Sequence, residues 1–234
     1  NIKKNNVETK IEVDCLAVSG GWNPTVHLTC HMNGRPTWND EILSFVPEIG
    51  AIPNMVVVGS ANGHMDTGKC FESAQKEINS LLKTFGKSSK TRKIPKVETT
   101  KVEISPKWAV EGKGRAWLDY QNDVTVKDVR QSVQENFKSV EHMKRYTTQG
   151  MAIDQGKNSN VAALAILADA TGRGIPETGT TTFRPPFVPV SIASMGKNAQ
   201  GSGFAPQRFT TSHAASVDRG SPMIEAGLWY RPSY

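Results

Sequence analysis

Residues 118–125 read LDYQNDVT and residues 144–160 read KRYTTQGMAIDQGKNSN, and these two stretches frame the most regular part of the sequence. Thr125, with Asp128 three residues later, has the pattern of a helix N-cap. Val126, Val129 and Val133 follow at helical spacing, which predicts an amphipathic helix directly after the first stretch.

Two further helices are predicted around the second stretch. Ser139 has the position of an N-cap for a short helix that continues through Tyr146. Another helix is predicted from Asn160 to Ala170, and Gly172 ends it. The middle of the chain is therefore expected to form a small helical domain.

The N-terminal part has strand signals that end at glycines. Apolar residues alternate with polar ones over residues 11–17, which predicts a strand before the turn at Gly20 and Gly21. The Val-rich run at residues 55–58 predicts a second strand, covered on both faces, that ends at Gly59. Apolar residues then recur at helical spacing from Thr67 until Gly86, which predicts a long amphipathic helix.

The composition excludes several classes of protein. The chain has 234 residues and a formal charge of +6, but residues 87–101 alone carry six basic residues and one acid. The rest is close to neutral, so a solvated linker is favoured over a nucleic-acid-binding face. The longest apolar run has eight residues, too few to cross a membrane. Three scattered cysteines favour a reducing, cytoplasmic compartment.

Two small groups of residues could bind a ligand, but a simpler role is favoured for each. His27, Cys30 and His31 are metal-ligand types, yet a structural zinc site usually needs four ligands, so packing is favoured and no metal site is predicted. Lys144 and Arg145 could clamp a phosphate, but the exposed side of a short helix needs no ligand and is the favoured interpretation.

The two glycine turns, SGGWNP at 19–24 and GSANG at 59–63, resemble in order and spacing the closing part of flavoproteins with two dinucleotide-binding domains. In many of those proteins an aspartate stands where this chain has Ser60 and Ala61, and it meets the ribityl chain of FAD. The departure favours NAD over FAD. The candidate NAD-binding residues are Gly20, Gly21, Ala61, Asn62 and Thr67.

The helical region resembles the small domain of bacterioferritin-associated-ferredoxin type, in which four cysteines hold a [2Fe-2S] cluster. Those four positions here are Asp119, Gln121, Asp154 and Ser159. Oxygen ligands do not hold an iron-sulfur cluster, so the resemblance implies the scaffold without the metal. Ser159 is expected to act as a helix cap.

Four motifs in order, SGGWNPTVHL, DVTVKDV, VEHMKRYTTQGMAIDQGK and TTFRPPFVPV, resemble the α subunit of heterotetrameric sarcosine oxidases over residues 10–234. That family implies NAD in this subunit, FAD and FMN on or at the β subunit, and tetrahydrofolate in a C-terminal domain similar to an aminomethyltransferase. Residues 211–213 and 227–232 look like the opening of that folate domain. The implied partners are β, γ and δ subunits.

The expected fold is α/β, in four parts of what we take to be an internal fragment of a longer chain. Residues 1–86 would be the C-terminal part of a FAD/NAD(P)-binding domain, 87–117 a basic linker with short strands, 118–175 the helical domain without cluster cysteines, and 176–234 the start of the folate-binding α+β domain. Beyond Pro176 the sequence predicts extended connections and loops.

The resemblance implies oxidative demethylation of sarcosine to glycine, with transfer of the one-carbon unit to tetrahydrofolate and reduction of oxygen to hydrogen peroxide. No catalytic residue is assigned to this part of the chain, because the flavin lies on the partner. Two alternatives stay open. One is the α subunit of another secondary-amine or opine dehydrogenase, and the other is a non-catalytic anion-binding module.

Overall fold

A computed structural model describes residues 2–4, 7–17, 22–88, 92–98, 104–110, 112–196, 201–203 and 206–234. The chain divides into two compact units, residues 1–187 and residues 188–234. The described residues form a mixed α/β structure of eight α-helices and four small sheets. The helices are α1 (His27–His31), α2 (Thr67–Thr84), α3 (Val126–Gln134), α4 (Val140–Thr147), α5 (Asn160–Thr171), α6 (Ile175–Thr178), α7 (Ile192–Met195) and α8 (His213–Asp218).

The strands are short, and most pair in antiparallel hairpins. Three two-stranded hairpins lie in the first unit, and a three-stranded sheet of order β7-β9-β8 lies in the second. The strands are β1 (Ile2–Lys4), β2 (Val7–Thr9), β3 (Thr37–Asn39), β4 (Ser44–Val46), β5 (Trp117–Asp119), β6 (Val124–Thr125), β7 (Arg208–Phe209), β8 (Met223–Ala226) and β9 (Trp229–Pro232).

The three predicted helices of the middle region are confirmed as α3, α4 and α5. Thr125 and Asp128 form a reciprocal capping box at the start of α3, and the Ser139 side chain accepts a hydrogen bond from the His142 N–H at the start of α4. Gly172 ends α5 in a left-handed conformation with φ 66°.

The main core joins these helices to a hairpin from the N-terminal part. Phe45 of β4 is buried among side chains of the helical region, and Trp38 of β3 packs against the same cluster. The residues of this buried cluster are Phe45, Leu118, Val124, Val126, Val129, Val140, Met143, Ala163, Leu164, Ile166 and Leu167. The hairpin and the helical region therefore share one core.

The long helix α2 is confirmed, with Asp66 as its N-cap, but its apolar side is only partly covered. Phe71 is 43% exposed, Ile78 is 55% exposed, and α2 contains no buried residue. Its amphipathic pattern was read correctly from the sequence. An amphipathic helix usually buries its apolar side, but the described part of the chain does not bury the apolar side of α2.

Two strand predictions were wrong. Residues 11–17 are exposed and irregular, and the hairpin of β1 and β2 lies before them. Residues 55–58 also lack strand structure, and Val56 lines a cleft instead. A strand needs a neighbour to complete its hydrogen bonds, and neither segment has one among the described residues.

Beyond Pro176 the structure has more regular elements than the extended connections and loops that the sequence predicted. The second unit contains α8 and the sheet of β7, β8 and β9, in which β9 pairs antiparallel with β8 and parallel with β7. These strands have two to four residues each, too few to give a clear alternation in the sequence. None of the helices in the described part of the chain has both the length and the apolar character required to cross a bilayer.

Candidate functional site

The turn between residues 59 and 63 is the first predicted site, and it packs closely against the β3–β4 hairpin. Residues Gly59–Asn62 form one 3₁₀ turn, and Gly63 follows with φ 86°. A Cβ on Gly63 would lie 2.9 Å from Val46 Cγ1. Gly63 is therefore required both by its backbone conformation and by the close approach of the hairpin.

The structure brings three of the five predicted NAD-binding residues to the start of α2. Ala61 and Asn62 are half-buried in the turn, and Thr67 is exposed as the first residue of the helix. Asn62 also lines a neighbouring cleft, whereas Ala61 and Thr67 do not. Gly20 and Gly21 lie outside the described residues.

This cleft has a volume of about 670 Å³ and lies between the loop over residues 47–57, the turn and one side of α2. Its size suits a small-molecule ligand. Its charged lining contains more acids than bases, and no ion pair among the described residues joins them. The charged residues are Glu41, Glu48, Glu72, Glu77, Lys69 and Lys76.

The N-terminus of α2 is already occupied by a carboxylate. Asp66 Oδ1 accepts a hydrogen bond from the Lys69 N–H at 2.9 Å. A pyrophosphate facing the same amides would meet this negative charge. Asn62 offers an amide, and Thr67 a hydroxyl, at the edge of the site. The described residues therefore fit the neutral amide or ribose part of a dinucleotide better than its phosphates.

Asp119, one of the four positions that carry cluster cysteines in the ferredoxin-type domain, is a buried acceptor of hydrogen bonds. Asp119 is 3% exposed, and its Oδ1 accepts hydrogen bonds from the backbone N–H groups of Gln121 at 2.9 Å and Asn122 at 3.3 Å. Its Oδ2 accepts one from the Gly150 N–H at 2.9 Å. The carboxylate thus binds two loops that are distant in sequence.

Ser159 and Asp154 take part in separate hydrogen bonds of the second loop. Ser159 Oγ accepts a hydrogen bond from Gln149 Nε2 at 2.7 Å, and Asp154 Oδ1 accepts one from the Gly156 N–H at 3.1 Å. Ser159 is the residue before α5, but its hydroxyl makes no capping hydrogen bond. The predicted capping role of its side chain was therefore wrong, because the hydroxyl is directed to Gln149 instead.

Residues 181–187, which we call the strap, are held by side chains that the sequence did not single out. Gln155 Oε1 accepts from the Arg184 N–H at 2.9 Å, and Gln155 Nε2 donates to the Arg184 carbonyl at 2.7 Å and to the Pro186 carbonyl at 3.0 Å. Asn160 Nδ2 donates to Thr181 Oγ1 at 3.0 Å. The amide of Gln155 therefore binds the strap much as a neighbouring strand would.

Glu141 holds the first part of the strap. Its Oε1 accepts from the Thr182 N–H at 3.3 Å, and its Oε2 lies 3.2 Å from Lys144 Nζ and 3.1 Å from Arg145 Nη1. Burial raises the pKa of Glu141, but the Thr182 N–H and the two cations outweigh burial and hold its pKa below the ordinary value. Both cations are thus paired within the helix. The simpler interpretation, the exposed side of a short helix, fits Arg145, whereas Lys144 is half-buried.

His27 packs against the end of the strap. Its ring stacks on the Phe187 ring with the centroids 3.7 Å apart. Lys157 Nζ lies 3.9 Å from the centroid of the Phe187 ring. Burial lowers the pKa of His27, and the positive charges of His31 and Lys157 lower it further. Burial raises the pKa of the Cys30 thiol. Within the described residues, no group of three or more His, Cys, Asp or Glu side chains is placed to hold a metal ion.

The fold of the chain is similar to that of a known structure. It is similar to the crystal structure of L-proline dehydrogenase from P. horikoshii, with a TM-score of 0.55 and 16% identity over 73% of this chain and 37% of that one. At this identity the likeness concerns the fold alone.

The sequence relatives define the family more closely. Residues 113–199 match the family described as the sarcosine oxidase A3 domain. The chain is 38% identical over 227 residues to the sarcosine oxidase subunit alpha of Rhizobium meliloti (strain 1021), and 34% identical over 235 residues to that of Corynebacterium sp. (strain U-96). Each match covers 96% of this chain.

The chain is therefore homologous to the sarcosine oxidase α subunit, and the resemblance found in its sequence motifs is confirmed. It spans about a quarter of the length of the curated relatives it matches, 23% of one and 24% of the other.

Proposed function

We propose that this chain is part of the α subunit of a sarcosine oxidase that works as a multisubunit complex. The identity of 34–38% over 96% of the chain is the observation that carries the proposal. Those relatives are named as subunits, which supports assembly with other chains. The proposed partners are the β, γ and δ subunits of a heterotetramer, and the proposed compartment is the cytoplasm.

The proposed reaction is oxidative demethylation of sarcosine to glycine. The one-carbon unit passes to tetrahydrofolate and oxygen is reduced to hydrogen peroxide. FAD and FMN, on or at the β subunit, supply the redox chemistry. Tetrahydrofolate belongs to the C-terminal domain that residues 176–234 begin. The described residues contribute binding and support, and none of them is assigned to the chemical step.

NAD is proposed to bind at the turn that precedes α2. Asn62, half-buried beside the cleft, would donate or accept hydrogen bonds at the neutral part of the dinucleotide, and Thr67 would offer its hydroxyl. Ala61 has a small side chain and lets the ligand approach the backbone. Gly20 and Gly21 complete the proposed set. The Asp66 carboxylate at the helix end favours placing the phosphates elsewhere.

The helical domain is proposed to hold no iron-sulfur cluster. The donor chemistry of the four positions supports this, because a carboxylate, an amide, a second carboxylate and a hydroxyl replace the four thiolates. Asp119 and Ser159 are also engaged in hydrogen bonds within the loops. Iron analysis and visible absorption of the full-length subunit test this, and stoichiometric iron assigned to residues 119–160 would refute it.

Purification of the full-length subunit with its partners tests the proposed function. The complex should release NAD together with FAD and FMN, and it should convert sarcosine to glycine. Added tetrahydrofolate should trap the one-carbon unit that is otherwise released as formaldehyde. A complex that carries no NAD would overturn the cofactor assignment, and one inert toward sarcosine would overturn the reaction.

A further inference from the structure

Two neighbouring clefts form a continuous polar groove over α3. The larger, of about 860 Å³, lies between the helix and the described residues 109–110 and 112–116, and the smaller, of about 350 Å³, reaches Tyr146 and Thr147 of α4. Both are lined by Asp123, Asp128 and Gln131, so they adjoin along the helix. We call the combined feature the α3 groove.

Three cations from two elements converge on the larger cleft. Lys127 and Arg130 are three residues apart on α3 and so share one side of the helix. Arg115 comes from the segment before β5. That segment is held beside the helix start, because the Val126 N–H donates to the Ala116 carbonyl at 2.9 Å.

These three cations have no acidic partner among the described residues. The contrast with α4 is direct, since Lys144 and Arg145 there both pair with Glu141. The Arg115 guanidinium lies over the Trp117 ring, 5.5 Å from its centroid, which leaves its N–H groups free to bind an anion. Asp123 and Asp128 also line the groove, but neither forms an ion pair with these cations among the described residues. Cations that are not ion-paired remain available to an anionic ligand.

The position of Lys127 adds an independent observation. It is the second residue of α3, at the end where the helix dipole is positive and a cation is unfavourable. Asp128 compensates the helix end through the capping box, but it forms no ion pair with Lys127 among the described residues. Lys127 is exposed, so its ammonium group is available to a ligand in the groove.

The nearby carboxylates argue against a tightly bound phosphate. Asp128 Oδ2 accepts hydrogen bonds from the Thr125 N–H and hydroxyl, both at 2.7 Å, so the capping box occupies the helix end where a phosphate would bind. Asp123 also lines the groove.

The groove is open on the side of Gly112 and Gly114, because a Cβ on either residue would meet nothing within 4 Å. An open groove suits an extended chain better than a small ligand.

We propose that the α3 groove binds an acidic segment of another subunit of the complex, through Arg115, Lys127 and Arg130. The proposal rests on the proposed function in one respect, that the chain works within a multisubunit assembly. Carboxylates of the partner would supply the missing counter-charges, and Gln131 and Gln134 would hydrogen-bond its backbone.

The test uses the full-length subunit, affinity-tagged and coexpressed with the remaining subunits. The double variant Lys127→Glu, Arg130→Glu reverses two charges, and an acid at the second helical position is favourable, so folding is preserved. The matched control is Lys138→Glu, Arg173→Glu, which makes the same charge change at two exposed residues outside the groove.

We expect the groove variant to recover about tenfold less of at least one partner subunit than the control, and the wild-type association to weaken between about 50 and about 300 mM NaCl. The neutral variant Lys127→Gln, Arg130→Gln should show a smaller loss. Full recovery of all partners by a folded groove variant would overturn the proposal. The proposal would also be overturned if the groove variant assembled normally but lost the stabilisation that inorganic phosphate gives the wild-type protein. That result would indicate a small-anion site.

Measuring sarcosine oxidation and NAD content of the wild-type complex separates the two proposals. If that complex is inert toward sarcosine while the groove variant still loses a partner, the proposed function falls and the groove assignment stands. If the complex oxidises sarcosine and the groove variant assembles fully, the proposed function stands and the groove assignment falls.

Discussion

Asp119 Oδ2 accepts a hydrogen bond from the backbone N–H of Gly150 across a separation of 31 residues and a distance of 2.9 Å. Both residues are buried, and the other oxygen of the same carboxylate holds the turn at residues 121–122. A single side chain thus joins two loops, and each contains positions that the sequence comparison aligned with cluster cysteines. These loops are therefore joined by hydrogen bonds to a carboxylate.

Replacing Asp119 by asparagine should loosen these loops. The amide keeps only one acceptor oxygen, so either the Gly150 N–H or the turn at residues 121–122 loses its partner, at a cost of about 1–3 kcal/mol for the buried group. Hydrogen exchange of residues 148–153 in the full-length subunit measures the effect, and it should become faster. Asp123→Asn, an exposed change in the same turn, is the control. Equal protection in both variants would contradict the proposed role of Asp119.

Gly156 is predicted to tolerate substitution poorly. Its φ is 74°, and a Cβ would clash with Oδ1 of the buried Asn160, whose amide also binds Thr181. Gly156→Ala should therefore lower the unfolding free energy by clearly more than the conformational cost of about 1 kcal/mol. Gly172→Ala is the matched control, since φ there is 66° and nothing lies within 4 Å of the Cβ. Similar unfolding midpoints for both variants would show that Asn160 is not fixed.

The attachment of the strap should weaken in acid through Glu141. Its pKa is lower in the folded chain than the ordinary value of 4.5, so the stabilisation is present above that value and is lost as the pH falls through the lowered pKa. Hydrogen exchange of residues 181–184, followed from about pH 6 to about pH 3, should accelerate in acid once the intrinsic pH dependence is removed. Glu141→Gln should remove this dependence. The control Glu98→Gln, at an exposed glutamate, should retain it.

A bulky residue at position 61 should reduce the NAD recovered with the purified complex. Ala61 lies in the turn before α2, where a leucine side chain would occupy the space proposed for the ligand. Ala61→Leu is compared with Ala214→Leu, which places the same side chain on the exposed side of α8. Unchanged NAD content in a folded Ala61→Leu complex would move the binding site away from this turn.

The elements that could be predicted from the sequence are those fixed by local signals. Thr125, Ser139 and Gly172 mark ends of α3, α4 and α5 through their own side chains or backbone, so neighbouring residues suffice to locate these helices. The start of α2 is marked in the same way, because the Asp66 side chain caps the helix.

The strands and the buried network depend on distant contacts, and the sequence predicted them poorly. A valine run such as residues 55–58 has high strand propensity, but only a paired neighbour makes it a strand. Gln149 and Gln155 were not singled out because isolated glutamines carry no periodic signal. Their partners, Ser159 and the strap, are fixed only in the folded chain.

Substrate preference of the purified multisubunit complex tests the central claim most directly. With tetrahydrofolate present, kcat/KM for sarcosine should exceed that for L-proline or an opine by at least about a hundredfold, and glycine should form in equal amount to hydrogen peroxide. The comparison with L-proline matters because the fold is shared with an L-proline dehydrogenase. A preference for L-proline or an opine, with no glycine formed from sarcosine, would contradict the assignment and identify another secondary-amine dehydrogenase.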